Sequence, residues 1–407
     1  MPSEAATTLE RSLAWAILTV VLTLSSVLGL LTTYALAAIV VLAVVAFLGQ
    51  RRRPWIGGAD SAVFTGGFLL IVVLFAITAR SPVEVLVAVN FVAFLAYAPI
   101  AAVLDAAHGP GNALRVAWLA LAGVALALVI CVVQVYGLGE DRAHGLFSDT
   151  IRLANTTVIT SFIALMGLRS MRSWWRLVFL LAPLMAIGVV LLTGTRIAMV
   201  AFPIVALVAL VLSVPSRWRL PTIVALAVLF TGLGYMLSLE GNARFLSIFD
   251  SLRQLLSGER IADRATRIRI ELYKGAWDAF QLSPIVGHGW SHLMSSVSEF
   301  LRPGVRDYAT RLVHLHNDVL TMGVAGGIFG IALYLVLIVV PPVLVIASPV
   351  DGQKAQRILG VGTLVTCYVV MGLTDTMIAF EMNTMLYVVL VAALLHFCRD
   401  GEREATS

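Results

Sequence analysis

The sequence predicts an all-α integral membrane protein with about twelve transmembrane helices and one long, partly helical loop outside the membrane. Three observations predict it. Hydrophobic residues make up 60% of the chain and charged residues 13%, whereas a soluble domain carries roughly twice that share of charge. The apolar runs approach or exceed the ~20 residues that a helix needs to cross hydrocarbon. A single long polar interval, Glu240 to Asp318, interrupts them. The runs are continuous rather than alternating, so the spans are helices and not the strands of a closed barrel. The net charge of +5 then reflects topology and gives no argument for nucleic acid.

Taken in order, residues 1–12 are a polar tail. Residues 13–50 are apolar for about twice one span, with a soft break near Gly29 to Tyr34, and read as two helices before Arg51-Arg52-Arg53-Pro54. The first run lacks a small-residue cleavage site and continues into a second span, so no cleavable signal peptide is expected. Further spans fall near 62–79, 84–104, 116–136, 155–168, 177–193, 197–214 and 222–239, and after the loop near 319–347, 358–374 and 383–398. The chain thus divides into 1–239 with nine helices, the loop 240–318, and 319–407 with three helices and an inside tail. Cys131, Cys367 and Cys398 are scattered in or beside apolar runs and show neither zinc spacing nor a disulfide framework.

Orientation follows from Lys and Arg in the short loops. With the N-terminus inside, the inside segments carry Arg11, Arg51, Arg52, Arg53, Arg115, Arg169, Arg172, Arg176, Arg217, Arg219, Lys354, Arg357, Arg399 and Arg403. The short outside loops carry Arg80, Arg142, Arg152 and Arg196. Both termini are therefore expected inside and the long loop outside. Loops beyond about 60 residues are weak voters in this rule, so the loop's own basic residues do not contradict it.

Within the loop, residues 261–281 carry a helical pattern. Asp263, Arg264, Arg267, Glu271, Lys274, Asp278 and Gln281 share one sector, with Asp263/Arg267 and Lys274/Asp278 spaced as i,i+4 pairs. The other sector is apolar from Ile261 through Leu272 and Trp277 to Phe280, except for Arg269. Two readings of Arg269 stand together: a snorkelling arginine whose stem lies on the apolar face, or a planar fork aimed at an anion such as phosphate. Pro284 ends the helix, and Gly287-His288-Gly289 makes a tight turn.

Two other places suit chemistry. Thr193-Gly194-Thr195-Arg196 is a very short outside turn. An arginine there is an interfacial anchor, or it lines a wet cavity with a partner. His314-Leu315-His316-Asn317-Asp318 precedes the next span, with Asn317 or Asp318 as N-cap. His316 then sits beside a helix N-terminus, whose dipole disfavours imidazolium. It is either a capping histidine or a neutral general base.

Together these segments resemble the O-antigen ligase and polymerase family of bacterial envelope glycosyltransferases. Thr193-Gly194-Thr195-Arg196 is similar to its T-G-S/T-R turn. Arg269, Tyr273, Ala276, Pro284, Gly287 and Gly289 fit R-x3-W-x2-A-x7-P-x2-G-x-G, with Tyr273 where tryptophan is common. His314, His316, Asn317 and Asp318, followed by Gly326, Gly327 and Gly330, fit H-x-H-N-D and its glycine-rich helix. The motifs cover roughly 180–380. The resemblance implies functional roles for Arg196, Arg269 and His316, and does not separate ligases from polymerases. His314 and Asn317 are expected to join the arginines in contacting substrate.

The implied chemistry is consistent with the residues. Outside the inner membrane a sugar donor must arrive pre-activated, and a polyprenyl diphosphate glycan is such a donor. Charge builds on its leaving group, where arginines stabilise it, and His316 takes the acceptor proton. No D-x-D signature lies near the site, so no metal and no cofactor is expected. The expected partners are an undecaprenyl-diphosphate-linked glycan donor, a lipid A–core acceptor and membrane lipid. An O-antigen or exopolysaccharide polymerase is the alternative. Protein O-glycosylation is disfavoured because the chain stops soon after its last span. A twelve-span transporter is disfavoured because no repeated halves appear and the polar residues gather at one face, not at the midplane.

Overall fold

The computed structural model describes residues 4–49, 57–239, 243–309 and 311–400. Arg51, Arg52, Arg53 and Arg403, counted above for orientation, lie outside these residues. Every regular element among the described residues is a helix. In chain order they are α1 (Thr8–Leu28), α2 (Leu30–Leu48), α3 (Ala59–Thr78), α4 (Pro82–Ala106), α5 (Asn112–Gly137), α6 (Thr150–Ser170), α7 (Trp174–Thr193), α8 (Arg196–Ser213) and α9 (Ser216–Met236). The loop helices α10 (Ala243–Ser257), α11 (Arg264–Leu282), α12 (Leu293–Ser298) and α13 (Pro303–Ala309) come next. The chain then forms α14 (Asp318–Ala347), α15 (Lys354–Gly372) and the shorter apolar α16 (Glu381–Phe397). Eleven of these are long and apolar enough to cross a membrane, and α16 makes the twelfth expected span. The break expected near Gly29 is there, with φ 52 between α1 and α2.

Helix α6 runs longer than the apolar run 155–168 because capping and packing, not hydropathy, define it. Asp149 accepts from the Ile151 and Arg152 N–H groups at its start. Asn155, Thr156, Thr157, Thr160 and Ser161 are all buried. The hydroxyls of Thr157, Thr160 and Ser161 donate to carbonyls three or four residues back, which satisfies them away from water. Enclosed by α5, α7, α8 and α15, this helix does not need an apolar surface. Helix α16 is buried along most of its length in the same way.

The two ends of the bundle are tied separately. At one end Arg169 donates to the Leu212 carbonyl at 2.9 Å, Gln353 to the Gly109 carbonyl at 3.0 Å and Arg357 to Asp351 at 2.6 Å. His396 lies 2.6 Å from Asp60, which also accepts from Tyr97, and Arg399 pairs with Asp105. At the other end Arg142 donates to the Thr193 carbonyl at 2.7 Å, Thr195 to the Thr150 carbonyl at 3.0 Å and Asn317 to the Leu373 carbonyl at 2.9 Å. The described arginine-rich short loops thus gather at the first end, and the long loop covers the second. The orientation expected from charge makes two cysteines diagnostic, since the native ones are all buried. In intact spheroplasts Ser295→Cys should react with an impermeant maleimide, and Ser216→Cys should react only after lysis. The reverse pattern would invert the topology.

Candidate active site

The turn between α7 and α8 is held from both sides. Gly194 caps α7 in the left-handed region at φ 61, and Thr195 is extended ahead of α8. Arg196 therefore opens α8, where the helix's first N–H groups and dipole already favour an anion. Its Nη1 lies 3.1 Å from Asp263 Oδ2 and 3.1 Å from Ser247 Oγ. Asp263 also caps α11 through the Thr266 N–H at 2.8 Å. Burial opposes the Asp263 carboxylate, but the hydrogen bonds from Thr266 and the Arg196 guanidinium outweigh it and hold the group below its ordinary value. The expected Asp263/Arg267 pair does not form. Asp263 turns to Arg196, and Arg267 donates to the Ile261 carbonyl. Lys274 and Asp278 are exposed without an ion pair between them. Trp277, expected on the buried sector, is 54% exposed and stacks on Phe280.

Arg269 stands one turn and a half into α11 and half-buried. Among the described residues it has no hydrogen-bond or ion-pair partner. A cavity of about 190 Å³ is lined by Arg142, Arg196 and Arg269 together with Gly194, Thr195 and Ala265. The two arginines singled out in the sequence therefore meet at one cavity from elements about 70 residues apart, and Arg142 joins them.

Helix α11 also touches the histidine motif, through Tyr273. Tyr273 is one turn beyond Arg269, a rise of about 6 Å. Burial pushes the Tyr273 hydroxyl up to about 12, so it stays protonated. Its oxygen lies 2.8 Å from the His316 carbonyl oxygen and 3.2 Å from that of Leu373. His316 is the one non-glycine residue with positive φ among the described residues, at 53°, a conformation that costs energy and needs such support. Asn317 caps α14 through the Leu320 N–H at 2.9 Å and donates to the Leu373 carbonyl, so both its polar atoms are engaged by the fold. Asp318 is fully buried and accepts the N–H groups of Met377 and Ile378. These bonds pull the α15–α16 loop onto the motif and bring Asp375 to His316.

His316 Nδ1 and Asp375 Oδ1 are 3.6 Å apart, and His316 Nδ1 has no hydrogen bond. That distance is too long for a hydrogen bond but gives a strong ion pair once the imidazole is protonated. Asn155 holds the other carboxylate oxygen of Asp375 at 3.3 Å. Burial, with His316 and Arg152 beside it, pushes His314 down to about 4 against the pull of Asp375. His314 is therefore neutral near pH 7. His314, His316 and Asp375 each offer one ligand atom, all within 4.8 Å of one another. Two imidazoles and a carboxylate are a sufficient donor set for one transition-metal ion, so the expected metal independence needs a direct test.

Sequence reasoning missed Asp375, Arg142, Arg152 and Asn155. In the sequence Arg142 and Arg152 carry only a topological signal. Asp375 and Asn155 carried no motif, and only tertiary contact brings them to the site.

The loop reaches this place through a seam of backbone. Helix α14 is broken at Gly327, with φ 60 and ψ −149. The turn 284–289 fills the break: His288 N–H donates to the Val324 carbonyl at 2.7 Å, Gly289 N–H to Ala325 at 2.9 Å, and Ile328 N–H to Pro284 at 2.8 Å. Gly287 lies against the Ala325 backbone so closely that a Cβ would stand 2.5 Å from it.

Residues 177–335 match the family model described as O-antigen ligase. The match spans α7 to the middle of α14 and includes Arg196, Arg269 and the histidines, but not Arg142, Arg152 or Asp375. No curated protein matches the chain.

The seam predicts a stability effect. A Cβ on Gly327 would lie 2.2 Å from the Ile285 carbonyl oxygen in a strained conformation. Gly327→Ala should cost about 2 kcal/mol or more. Gly66→Ala in α3, which meets nothing within 4 Å, should be neutral or stabilising. Thermal unfolding in detergent compares the two, and equal melting temperatures would remove the seam's importance.

Proposed function

We propose that the protein is an O-antigen ligase, transferring glycan from undecaprenyl diphosphate to a sugar hydroxyl of lipid A–core on the periplasmic face of the bacterial inner membrane. The observation that carries this reading is the meeting of Arg196 and Arg269 at one cavity, with Tyr273, one turn along α11 from Arg269, hydrogen-bonded to the carbonyl of His316, which faces Asp375. The O-antigen ligase match over 177–335 supports lipid-linked glycan chemistry.

In this mechanism the acceptor hydroxyl gives its proton to His316 as its oxygen bonds to the anomeric carbon. The bond from that carbon to the diphosphate oxygen breaks, and undecaprenyl diphosphate leaves with the electron pair. Arg196 and Arg269 stabilise the charge that grows on the leaving group, with Arg142 beside them. Asp375 stabilises the imidazolium. The 3.6 Å gap suits this role, because the attraction strengthens only when the proton arrives. His314, neutral and next to His316, contacts the acceptor or orients the loop. A polymerase would use the same groups with a growing glycan as acceptor. The envelope of a deletion strain separates the two: free lipid A–core beside undecaprenyl-linked polymer means ligase, and core bearing single repeat units means polymerase.

Two measurements test the roles on purified, folded enzyme. His316→Ala should lose about 10² to 10⁴ in rate with donor affinity nearly intact, and His314→Ala should be milder. Arg196→Lys keeps the charge but loses the fork, and should fall by about 10² to 10³. Wild-type turnover in His316→Ala, or unchanged donor binding and turnover in Arg196 and Arg269 variants, would refute the assignment. Separately, activity should persist in excess EDTA. Loss restored by a divalent ion would instead give His314, His316 and Asp375 to a metal.

A further inference from the structure

Helix α10 is built inside out for a helix in water. At 100° per residue, Ser247, Ser251 and Gln254 share one sector, and this polar sector faces the protein. Ser251 is 9% exposed. Gln254 accepts the Ala262 N–H at 2.7 Å. Ser247 Oγ accepts from Arg196 Nη1 at 3.1 Å. The apolar sector faces away, with Leu252 53%, Leu255 55% and Leu256 79% exposed. Asp250 and Arg253 are exposed beside it. In water this arrangement exposes three leucines while turning serines inward, the reverse of what burial favours.

The surroundings of the leucines resolve this. Leu252, with Ile248, lines an apolar groove of about 470 Å³ whose other walls include Val190 of α7, Met199 and Phe202 of α8 and Phe230 of α9. The sector continues into the exposed apolar belt of α8, at Val200, Ile204 and Leu207. That belt belongs to a helix long and apolar enough to span a membrane. The helix lies where α8 begins, at the level of the Thr193–Arg196 turn. A large apolar sector with charges at its edge, at the depth where spans end, is the pattern of a helix lying in the membrane surface.

We propose that α10 lies in the plane of the bilayer surface with Leu252, Leu255 and Leu256 among the acyl chains. Membrane lipid then forms the open side of the groove, and this seat holds Ser247 against Arg196. The arginine cavity is thereby tied to the membrane surface through one helix. Lipid is the occupant because the apolar sector runs unbroken into the belt of a spanning helix.

The test reads depth in the full-length protein in phosphatidylethanolamine–phosphatidylglycerol nanodiscs. Single cysteines Leu256→Cys and Asp250→Cys carry an NBD fluorophore, and Leu255→Cys is the second reporter if the first variant does not fold. The buried native cysteines are checked by the parent protein taking up no label. The probe at 256 should emit to the blue of the probe at 250, be quenched by lipid with a doxyl group high on its chain, and be insensitive to iodide. The probe at 250 should show the opposite response. Quenching at 256 by iodide and not by doxyl lipid would place the leucines in water and overturn the proposal. Protection from both quenchers would mean that protein, such as a second copy of the chain, covers them, and would overturn it equally. The readout does not involve sugar transfer, so it stands or falls apart from the function proposed above.

Discussion

The site depends on a break in a membrane helix and on what mends it. Helix α14 stops being helical at Gly327, and carbonyls released by such a break have no water to turn to inside a bundle. Val324 and Ala325 instead accept the N–H groups of His288 and Gly289, while the Pro284 carbonyl takes the Ile328 N–H. The loop is therefore part of the hydrogen-bond accounting of a spanning helix. This fixes the C-terminal end of α11, and α11 in turn carries Arg269 to the arginine cavity and Tyr273 to the His316 carbonyl. Backbone contact of this kind tolerates no side chain, which gives a physical reason for glycine at 287 and 327.

The start of α14 is anchored with equal economy. Asn317 and Asp318 bind backbone groups of the 373–378 loop, and that loop brings Asp375 to His316. Two neighbouring residues with no room to move thus set the histidine's partner. The opposite end of the bundle is different in kind. There Asp60, Tyr97, His396, Asp105 and Arg399 are linked to one another around a buried imidazole, and Arg357 is buried on Asp351. That end binds its charged groups to one another, whereas Arg269 at the loop end has no partner among the described residues and lines a cavity.

Much of this was legible in the sequence. Continuous apolar runs mark the eleven membrane-length helices and the shorter α16, and the 3.6-residue period marks α11 and the sector holding Arg269. Where the reading fell short, long-range contact decided. Helix α6 is polar because it is enclosed, which hydropathy cannot express. Asp263 pairs with Arg196 from another part of the chain rather than with Arg267 one turn away. Asp375 has no neighbours in sequence that mark it. Nothing in the sequence marks helix α10: its apolar residues look like an ordinary amphipathic face, and only their direction in three dimensions makes them unusual.

Arg196 is not waiting empty. Asp263 already neutralises it at 3.1 Å, and Ser247 occupies a further donor. An anion that enters must compete with that resident carboxylate. A singly charged ion would trade one charge for another and gain little, while disturbing the cap of α11. The diphosphate of the proposed donor would bring more charge and more acceptor oxygens, with Arg269 and Arg142 on the same walls. At Arg196 the exchange therefore rewards ligands by valence and by the number of acceptor oxygens they carry.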